Sequence, residues 1–218
     1  MDYKKEILRV LSSFSGGWTP YDLFCDWVKL LAISISNSTD LIQGKLWQER
    51  EREYLNTIKK YEGAQDKFVD MSGCLTLALE EDMTDVLGAI YMEAGLGNKY
   101  TGQFFTPFNI SYVTAQTGIP EILEEPITIN EPSSGGGGMI IAAAKTLLER
   151  GYNPQHYLNI VAQDLDWKGV YMTYVQISLL GLKGIVVQGD TLSDPFTDLR
   201  SYPRERVFIT PAKKGLLV

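Results

Sequence analysis

Four consecutive glycines, Gly135 to Gly138, are the first feature of the sequence that suggests a ligand site. They follow a predicted strand at residues 127–130 and precede a predicted helix at residues 139–150. Glycine lets a ligand approach the backbone closely, and open α/β sheets bind ligands beyond the carboxyl ends of their strands. A flexible connector is an equally good interpretation of this loop when it is considered alone.

The spacing around the glycines excludes two common nucleotide-binding motifs. A Walker loop needs Gly-Lys-Ser/Thr, whereas the nearest such pair, Lys145 and Thr146, follows Ala144 inside the predicted helix. A dinucleotide fingerprint needs a third glycine at the position where this chain has Ile140. A nucleoside-type cofactor, which needs close backbone approach but no phosphate cradle, fits the glycines and the acidic Glu131 before them.

Carboxylates follow the next two predicted strands. Asp164 comes after the strand at residues 158–161, and Asp190 comes after the strand at residues 184–187. Because a carboxylate can accept two hydroxyl hydrogen bonds, Asp164 suits the two hydroxyls of a ribose. Each aspartate could instead be a simple strand-end residue or a helix N-cap. Polar residues at three successive strand ends nevertheless predict one ligand site at this edge of the sheet.

The predicted elements place these residues at a common sheet edge. The first hundred residues have helical patterns at residues 4–14, 20–35, 38–61, 65–80 and 82–93. After Gly97, short apolar strands alternate with helices, which is typical of βαβ units around a parallel sheet. The last of these predicted strands is residues 207–209. We predict a helical N-terminal region at residues 1–97 and an α/β domain at residues 98–218.

Composition and charge limit the possible functions. The chain has 218 residues, of which 44% are hydrophobic and 22% charged, and this is ordinary for a folded protein of one or two domains. The formal net charge is −7. Proteins that bind DNA unaided usually carry a basic surface, because phosphate neutralisation supplies most of their affinity. We therefore expect no tight DNA binding by the chain alone.

The sequence predicts neither a membrane segment nor a metal site. Its longest apolar runs are far shorter than the roughly 18 residues of a membrane helix, and residues 1–9 lack the features of a signal peptide. We therefore expect a cytoplasmic location. Cys25, Cys74 and His156 form no zinc-type ligand set, and two distant cysteines predict no disulfide framework.

Four segments occur in an order that resembles the N6-adenine DNA methyltransferases. They read GQFFTP at residues 102–107, EPSSGGG at residues 131–137, AQD at residues 162–164 and GDTL at residues 189–192. The set is most similar to the modification (M) subunit of type I restriction-modification systems. The resemblance implies a helical N-terminal region followed by a Rossmann-like S-adenosylmethionine-dependent methyltransferase sheet.

The resemblance also implies a binding site for S-adenosyl-L-methionine. The segment with Thr106 would lie against the methionine end, and Thr106 itself would contact the amino acid head group. Asp164 would bind the ribose hydroxyls, and Asp190 would accept a hydrogen bond from the adenine amino group. The glutamate and glycines of the loop would surround the sulfonium, a cation that acidic neighbours favour. The implied cofactor-binding residues are Phe105, Thr106, Pro107, Glu131, Pro132, Gly135, Gly137, Asp164 and Asp190.

The catalytic tetrapeptide of that family is not recognisable in this chain. The family carries Asn/Asp-Pro-Pro-Tyr/Phe after its fourth strand, where the polar residue binds the flipped adenine and the aromatic ring stacks on it. Residues 210–213 read TPAK instead. Residues 193–196 read SDPF, but they follow Asp190 too closely for a strand to intervene. We therefore assign no catalytic residue, and we expect an incomplete sheet because the sequence given ends at Val218.

Two functions from different classes follow from this resemblance. The first is an S-adenosylmethionine-binding domain of the type I M-subunit family, with methylation by the isolated chain not expected. Such a chain would contact DNA only through a partner, such as a specificity or modification subunit. The alternative is a non-enzymatic, truncated homologue that docks on restriction-modification subunits as a regulator or decoy.

Overall fold

The computed structural model describes residues 1–14, 17–97 and 104–215. The described part of the N-terminal region is helical, as predicted. Its five α-helices are α1 (Tyr3–Ser12), α2 (Pro20–Ser38), α3 (Lys45–Ile58), α4 (Gln65–Glu81) and α5 (Val86–Glu93). A short 3-10 helix, Lys59–Tyr61, follows α3.

The remainder of the described chain is mixed α/β. Its helices are α6 (Phe108–Gly118), α7 (Gly138–Glu149), α8 (Pro154–Tyr157) and α9 (Trp167–Leu179). Its strands are β1 (Ile127–Glu131), β2 (Leu158–Asp164), β3 (Lys183–Gln188) and β4 (Val207–Ile209). The prediction of a partial Rossmann-like sheet after a helical region is confirmed.

Local sequence explains where several helices begin. Thr19 caps α2 by accepting a hydrogen bond from the Asp22 amide, and Pro20 occupies the first helical position. Asp85 caps α5 in the same way. The predicted helix at residues 38–61 is wrong at its start, because Gln43 has a φ of 50° and α3 begins only after Gly44.

The four strands lie side by side in the order β1-β2-β3-β4. The first three are parallel, with Ile129 beside Ile160 and Val161 beside Ile185. β4 pairs with β3 in the antiparallel direction, so the prediction of a parallel sheet is wrong for this strand. The physical reason is the connection from β3, which contains the short 3-10 helix Arg204–Arg206 but no α-helix that could carry a parallel crossover.

The antiparallel direction of β4 decides which residues can reach the glycine loop. The carboxyl end of β4 lies at the edge where β1, β2 and β3 begin. Thr210 follows β4, and its hydroxyl accepts a hydrogen bond from the Gly184 amide at 2.9 Å and donates to the Leu182 carbonyl at 2.8 Å. Residues 210–213 therefore lie at the opposite sheet edge from the glycine loop.

One hydrophobic core joins the helical region to the sheet. Buried side chains of α2, including Phe24 and Trp27, belong to the same cluster as Tyr174 of α9 and Val186 of β3. The glycine loop is thus held between the sheet and the N-terminal helices. The division at residues 97 and 98 remains a prediction, since residues 98–103 lie outside the described part.

Arg50 links α3 to the β4 edge of the sheet. Its guanidinium lies 4.0 Å from the ring centroid of Phe208 and donates to the Val207 carbonyl at 2.8 Å. It also donates to the Ser36 hydroxyl at 2.7 Å.

Among the described residues, no helix is both long and apolar enough to cross a membrane.

Candidate functional site

A cavity of about 300 Å³ lies at the carboxyl ends of β1 and β2. The glycine loop forms one wall, and the segment before α6 and the first turn of α9 form others. The lining residues are Asp85, Phe104, Phe105, Thr106, Ser111, Ser133, Ser134, Gly135, Gly136, Gly138, Met139, Asp164, Asp166, Lys168 and Gly169. The sheet edge predicted from sequence to bind a ligand therefore contains a cavity.

The glycine loop has a fixed conformation that requires glycine. Gly135 and Gly137 have φ angles of 53° and 89°, in the left-handed region that other residues rarely adopt. The Gly137 amide donates to the Ser134 carbonyl at 2.7 Å, and the Ser134 amide donates to the Gln163 carbonyl of β2 at 3.0 Å. Thr173 of α9 donates to the Gly135 carbonyl at 3.1 Å. These hydrogen bonds hold the loop in one conformation, unlike a flexible connector.

Two backbone amides hold the Asp164 carboxylate in the cavity wall. One carboxylate oxygen accepts a hydrogen bond from the Gly135 amide at 2.7 Å, and the other accepts from the Asp166 amide at 2.9 Å. Burial raises the pKa of Asp164, and these two backbone donors oppose that shift. Each oxygen has a second lone pair, so the carboxylate can accept two further hydrogen bonds from a ligand.

Gly169 gives the Asp164 carboxylate the space that it occupies. A Cβ at position 169 would lie 2.7 Å from the carboxylate carbon. Any residue other than glycine at position 169 would therefore displace the Asp164 carboxylate.

The segment before α6 closes another side of the cavity. Phe105 packs against Gly135 so closely that a Cβ on the glycine would lie 2.8 Å from the ring. The Phe105 ring also contacts Tyr91 of α5, with 5.0 Å between ring centroids. Thr106 lines the cavity and is exposed, while Pro107 precedes α6 and is not among the lining residues. Gly102 and Gln103 lie outside the described residues.

The other predicted site residues lie beside the cavity rather than on its lining. Glu131 is half-buried and accepts a hydrogen bond from the Ser133 amide at 3.2 Å; burial and, to a smaller extent, the charge of Asp164 raise its pKa. The Pro132 carbonyl accepts from the Thr191 hydroxyl at 2.6 Å. Gly137 packs against Thr173 of α9 and is likewise not a lining residue.

Asp190 is not brought to the cavity by the structure. Its side chain is exposed and accepts hydrogen bonds from the Leu192 amide at 3.0 Å and the Ser193 hydroxyl at 2.9 Å. These bonds lower the pKa of Asp190. The structure therefore gathers Phe105, Thr106, Gly135 and Asp164 around one cavity, and the role of Asp190 remains a prediction.

Asp85 and Ser111 line the cavity but were not predicted. Asp85 is 5% exposed, and one of its carboxylate oxygens accepts from the Gly88 amide and from Gln176, each at 2.8 Å. Its position before α5 identifies it as an N-cap, but nothing local relates it to a loop fifty residues later. Ser111 lies in α6, a helix that sequence periodicity did not reveal because its only fully buried residues are Ser111 and Ala115.

Lys168 is a third lining residue that sequence reasoning missed. Its ammonium group donates to the Tyr91 hydroxyl at 3.1 Å and to the Asp166 carboxylate at 3.2 Å. These partners, with the ion pair to Asp166, raise the pKa of Lys168 despite the opposing effect of burial. The lysine therefore ties α9 to α5 across the cavity.

Among the described residues, no group of three His, Cys, Asp or Glu side chains could hold a metal ion.

The SDPF segment at residues 193–196 lies close to the end of β2. Gln163 donates to the Asp194 carbonyl at 2.9 Å, and its own side-chain oxygen accepts from the Phe196 amide at 2.9 Å. The Phe196 ring packs edge-on against Tyr202, with 5.4 Å between centroids. That ring is therefore already in a hydrophobic contact rather than presented to a base.

The fold and the site together define an α/β protein with a partial Rossmann-like methyltransferase sheet. The model of the N-6 DNA methylase family matches residues 83–207, more than half of the chain and including every residue that lines the cavity. The chain belongs to the N-6 DNA methylase family.

The solved structures that are similar to this chain include two described as methyltransferases. One is the type I restriction-modification system methyltransferase subunit from Streptococcus thermophilus, at 16% identity and a TM-score of 0.47, covering 91% of this chain and 45% of that one. The other is a Listeria monocytogenes protein assigned to the class I S-adenosylmethionine-dependent methyltransferases, at 12% identity and a TM-score of 0.49, covering 90% and 56%. This chain thus spans about half the length of each. Comparison with curated proteins gave no match.

Proposed function

We propose that this chain binds S-adenosyl-L-methionine in the cavity at the carboxyl ends of β1 and β2. The single observation that carries the proposal is the Asp164 carboxylate, fixed by the Gly135 and Asp166 amides with an acceptor position left on each oxygen. Two vicinal ribose hydroxyls are the ligand that such a carboxylate suits. The ordered glycine loop beside it allows the ligand to approach the backbone closely.

The charge of the surroundings also suits this ligand. Asp85, Asp164 and Asp166 line the cavity, and Glu131 lies beside it. A sulfonium is a cation, so carboxylates around it are favourable. When bound, S-adenosylmethionine supplies an electrophilic methyl group. Phe105 and Thr106 would lie against the methionine end, and Asp190 would have to exchange its local hydrogen bonds to reach the adenine amino group.

The substrate that we propose is adenine in DNA, as the family implies. The chain would act within a modification assembly in which a partner subunit contributes the basic surface for DNA. The net charge of −7 supports this division of roles. The cytoplasm is the location that such an assembly requires.

The second candidate is a non-enzymatic homologue that regulates restriction-modification subunits by docking on them. Two observations favour it. Residues 210–213 lie at the sheet edge away from the cavity, and the Phe196 ring packs against Tyr202. Residues 210–213 contain no amide, carboxylate or aromatic side chain, and the aromatic ring of residues 193–196 already has a packing partner, whereas adenine methylation uses a polar group and a free aromatic ring together.

Isothermal titration calorimetry with S-adenosylmethionine tests the first proposal. We expect the wild-type chain to bind and Asp164→Ala to weaken binding about 10- to 100-fold, the worth of lost charged hydrogen bonds. Asp198→Ala is the matched control, because Asp198 also accepts two backbone hydrogen bonds but is exposed and outside the cavity. No heat at millimolar ligand, or equal affinity in both variants, would refute the proposal.

A further inference from the structure

Asp85 is a buried carboxylate that lines the cavity. One oxygen is occupied by the Gly88 amide and Gln176, while the other lies against the glycine loop. A Cβ at Gly136 or Gly138 would be 2.7 or 3.2 Å from that second oxygen. In the described part of the chain, no lysine or arginine forms an ion pair with Asp85, although a buried charge is costly unless it is compensated.

Gln176 fixes the direction of this carboxylate. Its amide nitrogen donates to Asp85 and to the Gly136 carbonyl at 2.6 Å, while its oxygen accepts from the Leu87 amide at 3.1 Å. The carboxylate is therefore held against the loop before any ligand arrives. Such preorganisation reduces the cost of binding.

Ser111 places an unsatisfied hydroxyl at the same end of the cavity. The residue is 0% exposed, and its hydroxyl has no hydrogen-bond partner among the described residues. A Cβ at Gly138 would be 3.6 Å from that hydroxyl. Gly138 begins α7, a twelve-residue helix whose first amides have no partner within the helix and attract an anion.

A carboxylate acceptor thus lies beside a hydroxyl donor and the amino end of a helix. An α-amino acid carries its ammonium and carboxylate on one carbon, so it complements both sides of this pair at once. We propose that Asp85 and Ser111 bind the amino acid head group of S-adenosylmethionine, with Asp85 accepting from its ammonium and Ser111 donating to its carboxylate. This inference rests on the proposed function and adds two residues to the predicted contact of Thr106.

Three ligands separate the two contacts by calorimetry on the full chain. S-adenosylhomocysteine has both head-group charges, its decarboxylated form keeps only the amine, and 5′-methylthioadenosine has neither. All three are thioethers, so none of them carries the sulfonium charge. We expect the wild type to bind S-adenosylhomocysteine at least about tenfold more tightly than 5′-methylthioadenosine, since charged hydrogen bonds are lost with the head group.

The variants should respond to different parts of the ligand. Asp85→Asn should weaken both amine-containing ligands about tenfold or more and leave 5′-methylthioadenosine within about twofold. Ser111→Ala should weaken S-adenosylhomocysteine alone among the three ligands, by roughly three- to tenfold. The control is Thr146→Val. Thr146 lies in α7 and, like Ser111, is fully buried with a hydroxyl that has no partner among the described residues, but it does not line the cavity.

The outcomes distinguish this inference from the proposed function. A wild type that binds neither S-adenosylmethionine nor any of the three ligands overturns both. Equal affinity of the wild type for S-adenosylhomocysteine and 5′-methylthioadenosine, with Asp164→Ala still impaired, overturns the head-group site alone. An equal loss of all three ligands in Asp85→Asn and Ser111→Ala does the same. Should Asp85→Asn fail to fold, Ser111→Ala decides the matter, because it removes only an unbonded hydroxyl.

Discussion

Among single residues, the proposed ligand site depends most on carboxylates that the fold partly buries. Burial raises the pKa of Asp164 above its ordinary value of 3.8, and it raises the pKa of Glu131 as well. A protonated Asp164 loses an acceptor position for the ribose. Ligand affinity should therefore begin to fall at a higher pH than it would if the aspartate were exposed.

We expect the affinity for S-adenosylmethionine to fall as the pH is lowered from 7 toward 3.8, the ordinary pKa of an aspartate. Over this range an α-amino group, with a pKa of about 7.7–8.0, stays charged, so the protein carboxyls dominate the change. Calorimetry at several pH values would measure it. Asp164→Asn should bind more weakly and with a flatter pH profile; a variant profile parallel to that of the wild type would show that Asp164 is not the titrating group.

Sequence alone predicted the cavity residues that follow a strand. Gly135 and Asp164 could be predicted because they follow strands, and strand ends of a parallel sheet meet at one edge. Asp85 and Ser111 could not, because helices from the preceding region bring them to the loop through tertiary packing. Asp190 also follows a strand, but its local hydrogen bonds hold its side chain outside the cavity.

At the scale of elements, Gln176 connects three parts of the site. Located in α9, it hydrogen-bonds to the N-cap residue of α5, to the Leu87 amide and to the Gly136 carbonyl of the glycine loop. All of these groups are buried. Its removal would leave several polar groups without partners in the core.

We expect Gln176→Ala to lower the free energy of unfolding by roughly 2–5 kcal/mol, since each buried group left unpaired costs about 1–3 kcal/mol. Urea denaturation followed by circular dichroism would measure the change. Gln155→Ala is the control, because Gln155 is exposed and makes one long bond, 3.3 Å, to the Leu180 carbonyl. A loss no larger than that of the control would contradict the proposed connection.

Secondary structure was predicted correctly where the spacing of apolar residues reflects burial, and wrongly where strand direction depends on tertiary pairing. The helices that contain Phe24 and Leu75 were predicted from their apolar faces, and β1 to β3 were predicted from their apolar runs. The pairing direction of β4 depends on the connection that precedes it, and a three-residue strand carries no directional signal. Arg50 lies in a charged run of the kind that usually faces solvent. Its guanidinium nevertheless donates to the carbonyl of Val207, which is 157 residues away in the sequence.

At the scale of the whole molecule, net charge governs encounters with DNA. With 20 basic and 27 acidic side chains, the chain should repel a duplex at long range. We expect no micromolar binding of duplex DNA by the chain alone in a gel shift at low salt, where electrostatic attraction is strongest. A micromolar complex there would contradict the assignment of DNA contact to a partner. Native co-purification without any DNA-binding chain would remove the support for that partner.

A crystal structure of the chain grown with S-adenosylmethionine would show directly whether the cavity binds it. We expect the ligand in the cavity, with both ribose hydroxyls on the Asp164 carboxylate and the amino acid head group toward Asp85 and Ser111. An unoccupied cavity at saturating ligand, or a ligand bound elsewhere with Asp164 still hydrogen-bonded only to Gly135 and Asp166, would contradict it.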